Sequence, residues 1–424
     1  MRPLPDQDGS WLLVRARVVT TEGVLSPGWI RVTGNRIDAI GPGLPPAEQD
    51  PGLDVVDLPG QWLLPGFVDI HVHGGGGTSF TEGTSDDARS AAEFHLRHGS
   101  TTLLASLVTA PLAGLETQTA MLARLADEGV IAGLHLEGPF LSPARRGAQD
   151  ARHMLAPDAA VFDRLHAAAG GKLKVLTLAP ELPGAIRMVQ AAARAGVTVA
   201  IGHTDATAEV TSAAIDAGAT HATHLFNGMR PPHHREPGAA GALLDRDEVT
   251  CEVIADGVHL HDMTIRLAAR AAGPGRLVLI TDATAAAGMP DGSYRLGSVR
   301  VTVAGGVARL ADEPGQAWVP GRAGDIGDAV QAGAIVGSTA TMAGVVRHAL
   351  AAGLPVTEVA AAASTTPARV LGIDDRTGAL RPGLAADLVV CDAEFRLRAV
   401  MRQGRWLAGP PGSEVFSPPG APSR

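Results

Sequence analysis

The side chains best able to do chemistry in this chain of 424 residues recur at one kind of place, the ends of short apolar runs. "GFVDIHVHG" carries His71 and His73 two positions apart, alternating with Val68, Ile70 and Val72. "GLHLEGPF" closes an apolar run on Glu137, "TVAIGH" ends on His203, "THATH" on His224 and "LVLITD" on Asp282. In an extended strand, period two places Asp69, His71 and His73 on one face and the apolar residues on the other. A carboxylate in an apolar run is expensive to bury alone, so Glu137 calls for an exposed strand tip or a cation. Singly, a strand-end histidine is an ordinary polar residue. Six imidazole and carboxylate groups gathered at one rim are a ligand set that suits zinc, with iron, cobalt or manganese as substitutes. Asp282 has two readings, a cap for the segment after it or a general base that takes a proton from an attacking water and passes it to a leaving amine. The surrounding donors favour the second. Glycines 74 to 77 read as a turn, since no helix start follows to make them a phosphate cradle.

Positioning these groups requires a repeating strand and helix unit. Eight apolar runs, from "GFVDIHVHG" through "GSTTLLASLVT", "GVIAGLHLEGPF", "GKLKVLTLAPE", "GVTVAIGHTDA", "THATHLF" and "VTCEVIADGVH" to "GRLVLITDAT", alternate with Ala-rich stretches such as "DDARSAAEFHLRHG" and "GAIRMVQAAARAG". This predicts an α/β chain whose centre is a (β/α)8 TIM-type barrel, with chemistry at the C-terminal ends of the strands. A doubly wound sheet competes, but gives no reason for so many polar strand ends. Short alternating strands at the start, and again in "GALRPGLAADLVVCD" and "FRLRAVMRQGRWL", predict a small β-sandwich built from both chain ends. The expected division is 1–64 for the N-terminal part of that unit, 65–378 for the catalytic barrel and 379–410 for its C-terminal part. The Pro/Gly/Ser-rich 411–424 is expected to be a flexible tail.

Composition narrows the function classes. No apolar run reaches the ~18 residues of a membrane span, and the N-terminus lacks the apolar core of a signal peptide. Two cysteines, Cys251 and Cys391, argue against a disulfide framework and for a reducing cytoplasm. A formal charge of -9 gives no reason to expect nucleic acid as a partner.

"LPGFVDIHVHG" resembles the first metal-binding strand of the amidohydrolase superfamily. "HLEGPF", "GHTDAT", "THLFNGM", "REPG", "IADGVH", "LITDAT" and "VGSTATM", in that order, resemble its N-acetylglucosamine-6-phosphate deacetylase family, from about Leu64 to Pro382. The resemblance implies hydrolysis of an N-acetyl amino-sugar phosphate to acetate and the free amine. It implies that Glu137, His203 and His224 hold the principal metal and that Asp282 is the catalytic acid/base at the metal. Some members lack the histidine pair on the first strand; keeping His71 and His73 implies room for a second ion, with Glu137 as bridge. The cofactor implied is one or two divalent ions, Zn2+ first, with Fe2+, Co2+ or Mn2+ as substitutes. Neither lysine, Lys172 or Lys174, lies at a strand's C-terminal end, so the carboxylated-lysine bridge of other amidohydrolases is not expected.

For substrate, the motif matches imply contacts from Ala148 and Gln149, Asn227 and Gly228, Asp256 and His259, and Ile335, Val336 and Gly337. Arg235 is the implied phosphate ligand, and His259 the group that steadies the oxyanion. Because the family's phosphate site is often completed by a neighbouring subunit, a homodimer is implied. Two departures stand out. Gln149 occupies the position where the family usually has a substrate-touching histidine, and glutamine cannot carry a proton or a positive charge. The segment 311–333 is longer than usual, either reshaping the pocket or forming a surface insertion. The alternatives are the N-acetylgalactosamine 6-phosphate version of the reaction, a cyclic-amide hydrolase such as a dihydroorotase or hydantoinase, and a sugar-phosphate-binding regulator on a retired scaffold. The missing rim lysine and "REPG" count against the second. The intact set of six counts against the third.

Overall fold

The computed structural model describes residues 9–46, 53–311 and 333–411. All eight apolar runs form strands: β1 Phe67–Asp69, β2 Ser100–Val108, β3 Gly133–Glu137, β4 Leu173–Leu178, β5 Thr198–Ile201, β6 Ala219–Ala222, β7 Thr250–Ile254 and β8 Leu277–Ile280. They lie in one sheet in chain order, and the pairings from β2 through β8 are parallel. Just beyond the ends of β1 and β8 the ring closes, with Asp282 N–H donating to His71 O at 2.9 Å and His73 N–H to Ala283 O at 2.8 Å. Such strands are covered on both faces, which is why their sequences read as continuous apolar runs rather than strict alternation.

A helix follows each of the first seven strands: α1 Ser85–Arg97, α2 Leu112–Asp127, α3 Ala159–Ala168, α4 Ala185–Arg194, α5 Ala208–Asp216, α6 Gly238–Asp245 and α7 Asp262–Ala272. α4 shows the driving pattern, burying Ala185, Met188, Val189 and Ala192 at helical spacing. Side-chain caps set several starts, as where Asp158 accepts the amides of Ala160 and Val161 ahead of α3.

By compactness the chain forms two units, 1–69 with 93–102 and 341–424, and 70–92 with 103–340. In the first, both chain ends contribute to one eight-stranded sheet. Trp62–Pro65 from the N-terminal part pairs antiparallel with Leu388–Cys391 from the C-terminal part. Hydrogen bonding makes this a single sheet, with Leu53–Asp57 branching off alongside Ser10–Thr20. Its core includes Trp11, Leu13, Ile30, Leu63, Leu388, Val390, Met401 and Trp406. Trp11 meets Trp406 edge to face at 6.0 Å and donates its indole N–H to Gly404 O.

The second unit carries an element outside the strand and helix repeat. After β8 the chain forms a three-stranded antiparallel sheet, Gly292–Leu296, Val299–Ala304 and Val307–Leu310. Leu296, Val301, Val303 and Ala308 pack with Val108, Ala286 and Val336. Alternation in "VRVTVAGGVARL" marked it, with glycines 305 and 306 at the turn. Most of the expected insertion, 312–332, and the tail residues 412–424 lie outside the described residues. Among the described residues, no helix is long and apolar enough to cross a membrane.

Candidate functional site

Glu137 closes β3 and sits at the centre of the rim. Its Oε1 lies 2.9 Å from His224 Nε2 and 3.0 Å from His203 Nε2. Its Oε2 lies 3.3 Å from His73 Nε2. His71 and His73 bring their Nε2 atoms within 3.1 Å of each other, and Asp282 Oδ1 lies 3.5 and 3.2 Å from them. The result is two groups with the geometry of ion ligands, His71–His73–Asp282 and Glu137–His203–His224, all six residues buried.

The far sides of the rings decide which nitrogen faces inward. His203 Nδ1 faces Arg145 O at 2.8 Å, His224 Nδ1 faces Asn227 O at 3.1 Å and His73 Nδ1 faces Ser106 O at 3.3 Å. A carbonyl only accepts, so each of these Nδ1 atoms carries a proton, which leaves Nε2 as the ring nitrogen that faces inward and can take a cation. The Nε2 atoms of His203 and His224 meet at 3.2 Å with Glu137 Oε1 beside both. Converging acceptors of this kind fit a divalent cation, and the backbone and carboxylate partners behind them are the usual outer support of such ligands. The charges agree. Burial alone would raise the Glu137 carboxyl, but His203, His224 and His71 outweigh it and hold it well below its usual range. Burial opposes charge on His71, yet Glu252, Asp282 and Glu137 push it well above an ordinary histidine.

Strained backbone aims these side chains. His203, His224 and Asp282 take φ of 46°, 27° and 48°, a region that costs a residue with a Cβ about 1–3 kcal/mol. Each stands just past its strand, where the chain must turn away while the side chain still faces the rim. Gly228 (φ +60°) comes so close that a Cβ would sit 2.9 Å from His203 Nδ1. At Gly337 (φ +47°) a Cβ would sit 2.6 Å from Asp282 O. Ser338 N–H donates to that same carbonyl at 2.7 Å.

The expected substrate residues fall in different surroundings. Gln149 is buried, donating from Nε2 to Glu137 Oε2 at 2.6 Å and accepting from Thr109 N at 2.8 Å. Ala148 and Val336 belong to the small core under the three-stranded sheet, while Ile335 is half-buried and bridges to Arg309. Asn227 gives its carbonyl to His224, and its side chain donates to His224 O and Leu225 O, both at 3.3 Å. Asp256 holds His259 Nδ1 at 2.8 Å and accepts the amides of Val258 and His259, turning His259 Nε2 the other way. Arg235 is exposed, its Nη1 2.7 Å from His234 Nε2, and no hydrogen bond among the described residues joins it to the six. Sequence reasoning passed over Glu252, a buried carboxylate within β7 that touches His71, His221 and the His224 amide. The signal available was a glutamate inside the apolar "TCEVI". His135, on the same strand as Glu137, is buried between Ser106 Oγ and Thr177 Oγ1.

A (β/α)8 barrel with histidines and carboxylates collected at the C-terminal strand ends defines a metal-dependent hydrolase. Residues 62–407 match the model of the amidohydrolase family, and the chain belongs to it. It is 33% identical over 359 residues to an N-acetylglucosamine-6-phosphate deacetylase of Lysinibacillus sphaericus, covering 84% of this chain and 87% of the relative. It is 34% identical over 394 residues to an N-acetylgalactosamine-6-phosphate deacetylase of Escherichia coli O157:H7, covering 92% and 97%. Among solved structures, a mutant N-acetyl-D-glucosamine-6-phosphate deacetylase of Mycobacterium smegmatis in complex with N-acetyl-D-glucosamine-6-phosphate is similar at 43% identity and a TM-score of 0.85, covering 94% of this chain and 99% of that one.

Proposed function

We propose that the chain hydrolyses the N-acetyl group of N-acetyl-D-glucosamine 6-phosphate, giving D-glucosamine 6-phosphate and acetate. The reading rests on the 43% identity to the Mycobacterium smegmatis enzyme bound to that sugar phosphate, taken with the two convergent ligand groups. Glu137, His203 and His224 would hold the principal divalent ion, His71, His73 and Asp282 a second, with Glu137 between them. The ion, Zn2+ first, supplies Lewis acidity towards water and the acetyl carbonyl. Asp282 accepts the proton of the attacking water and returns it to the departing sugar nitrogen, so that the C–N bond breaks to a neutral amine. Asp256 orients His259 towards the carbonyl oxygen.

Arg235 is assigned the phosphate, and its exposed place suits a site completed by a second copy of the chain, hence a homodimer. The catalytic part is 65–378, with 1–64 and 379–410 as the accessory sheet, and the protein works in the cytoplasm on a small sugar phosphate, without nucleic acid or membrane. The galactosamine epimer is the second reading, since one relative at 34% identity bears that name; the higher identity to the substrate-bound glucosamine enzyme favours the first. Acetate release from zinc-loaded protein decides between them, using N-acetylglucosamine 6-phosphate, its galacto epimer and unphosphorylated N-acetylglucosamine. Turnover of the first alone is expected. No turnover of any by metal-loaded protein overturns the reading.

A further inference from the structure

Glu252 lies in the middle of β7 and is fully buried. A carboxylate there costs more than the apolar residue the barrel interior would otherwise hold, unless its neighbours satisfy it. They do so on both oxygens. Oε2 lies 3.0 Å from His71 Nδ1 and accepts the His224 amide, also at 3.0 Å. Oε1 lies 3.0 Å from His221 Nε2, and His221 Nδ1 is anchored 2.6 Å from Thr250 Oγ1. One oxygen therefore serves two residues that belong to different ligand groups, His71 in one and His224 in the other.

We infer that Glu252 is a positioning residue that makes the His71–His73–Asp282 group competent to hold a divalent cation. This rests on reading the six rim residues as ligands of one or two ions. Of the four rim histidines, His203, His224 and His73 rest their Nδ1 on backbone carbonyls. His71 rests its Nδ1 on a side chain, so its tautomer depends on what occupies position 252. With a carboxylate there, His71 keeps a proton on Nδ1, which leaves the Nε2 that faces Glu137 and Asp282 as the atom whose lone pair a cation can take. The negative charge behind the ring also makes that lone pair a better donor. Without the acceptor, the proton is free to move to Nε2 and block the ligand atom. The Glu137–His203–His224 group needs no such help, because its histidines are fixed by backbone; Glu252 reaches it only through the amide of His224.

The test is zinc binding to chelator-stripped protein, followed by titration calorimetry with metal analysis of the same samples. It compares wild type, Glu252→Gln and His71→Asn. Wild type is expected to take two ions, and His71→Asn to lose the weaker. Glu252→Gln, which keeps the shape and one acceptor, is expected to bind the first ion as wild type does and the second roughly 10- to 100-fold more weakly. Its fold in the metal-free form is checked by circular dichroism. A folded Glu252→Gln protein that binds both ions with wild-type affinity, or weakens both alike, overturns the inference. If Glu252→Gln does not fold, Glu252→Asp, which keeps the charge one methylene short, is read by the same criteria. A wild type that takes one ion and is indifferent to His71→Asn overturns the two-ion reading itself. A two-ion wild type unaffected by Glu252→Gln overturns only the role of Glu252.

Discussion

Gln149 Nε2 donates to Glu137 Oε2 at 2.6 Å while Gln149 Oε1 is held by the Thr109 amide at 2.8 Å. The amide can be oriented only one way, because the Thr109 N–H requires an acceptor. Gln149 thus grips the carboxylate common to both ligand groups. Gln149→Leu strands a buried N–H, at about 1–3 kcal/mol, and releases Glu137. The expected outcome is a lower thermal midpoint and weaker metal binding, measured by calorimetry. A raised KM with unchanged metal affinity would instead assign Gln149 to the substrate.

Glu137 and His203 are expected to be required for metal retention. Glu137→Gln and His203→Asn should each reduce zinc content after dialysis and lower kcat/KM by roughly a hundredfold or more, beyond the usual loss for outer-sphere partners. Chelation of wild type should abolish activity, and added Zn2+ should restore it. Full metal content and activity in both variants would show the site to be elsewhere.

Gly228 is expected to tolerate no side chain. A Cβ would press on His203 Nδ1 at 2.9 Å from a backbone at φ +60°. Gly228→Ala should displace the ring or the loop, costing about 1–3 kcal/mol in backbone strain alone. Metal titration should show weaker binding in a protein that still folds, with circular dichroism as the check.

Cys251 and Cys391 are both buried, and burial pushes each thiol up to about 12. Since the thiolate is the reactive form, neither should react with iodoacetamide in the native protein at pH 8. Both should react in denaturant, as read by intact mass.

Asp392 accepts the amides of Glu394 and Arg396 and the Arg398 guanidinium. Burial alone would raise its carboxyl, but the Arg396 amide, Arg398 and the Glu394 amide hold it below its usual value. A depressed carboxyl contributes stability that is present above the unfolded value near ~4 and is lost as pH falls through the folded one. Asp392→Asn should therefore lower the thermal midpoint at pH 7, and the gap from wild type should close on acidification below about pH 4. A gap independent of pH would mean that shape, not charge, is what Asp392 supplies.

How much was legible depended on whether a signal was local. The eight barrel strands could be read because each is a short apolar run closed by a turn, and the hydrophobic effect acts on every such run alone. Glu137, His203, His224 and Asp282 could be read because polar residues at apolar strand ends violate the pattern around them. The sheet Gly292–Leu310 was not read although "VRVTVA" alternates, because its apolar face packs on Val108, Ala286 and Val336, partners that the sequence does not place beside it. Glu252 was missed because one glutamate in "TCEVI" has no meaning until its neighbours are known.

By itself, the sequence determined the chemical inventory and its order: eight strands, four histidines and two carboxylates at their ends, and a glutamine where a histidine was expected. Tertiary structure alone decided how these are used. Ring closure brings β1, β3, β5, β6 and β8 to one rim, so that residues 71 and 282, far apart in the chain, hydrogen-bond through their backbones. It turned Gln149 onto Glu137, placed Glu252 beneath both ligand groups and set His203, His224 and Asp282 in strained conformations. The physical reason is one of range. Burial preference and strand period act over a few residues, whereas tautomer, charge and strain at a site depend on partners that only closure of the barrel brings within 3 to 4 Å.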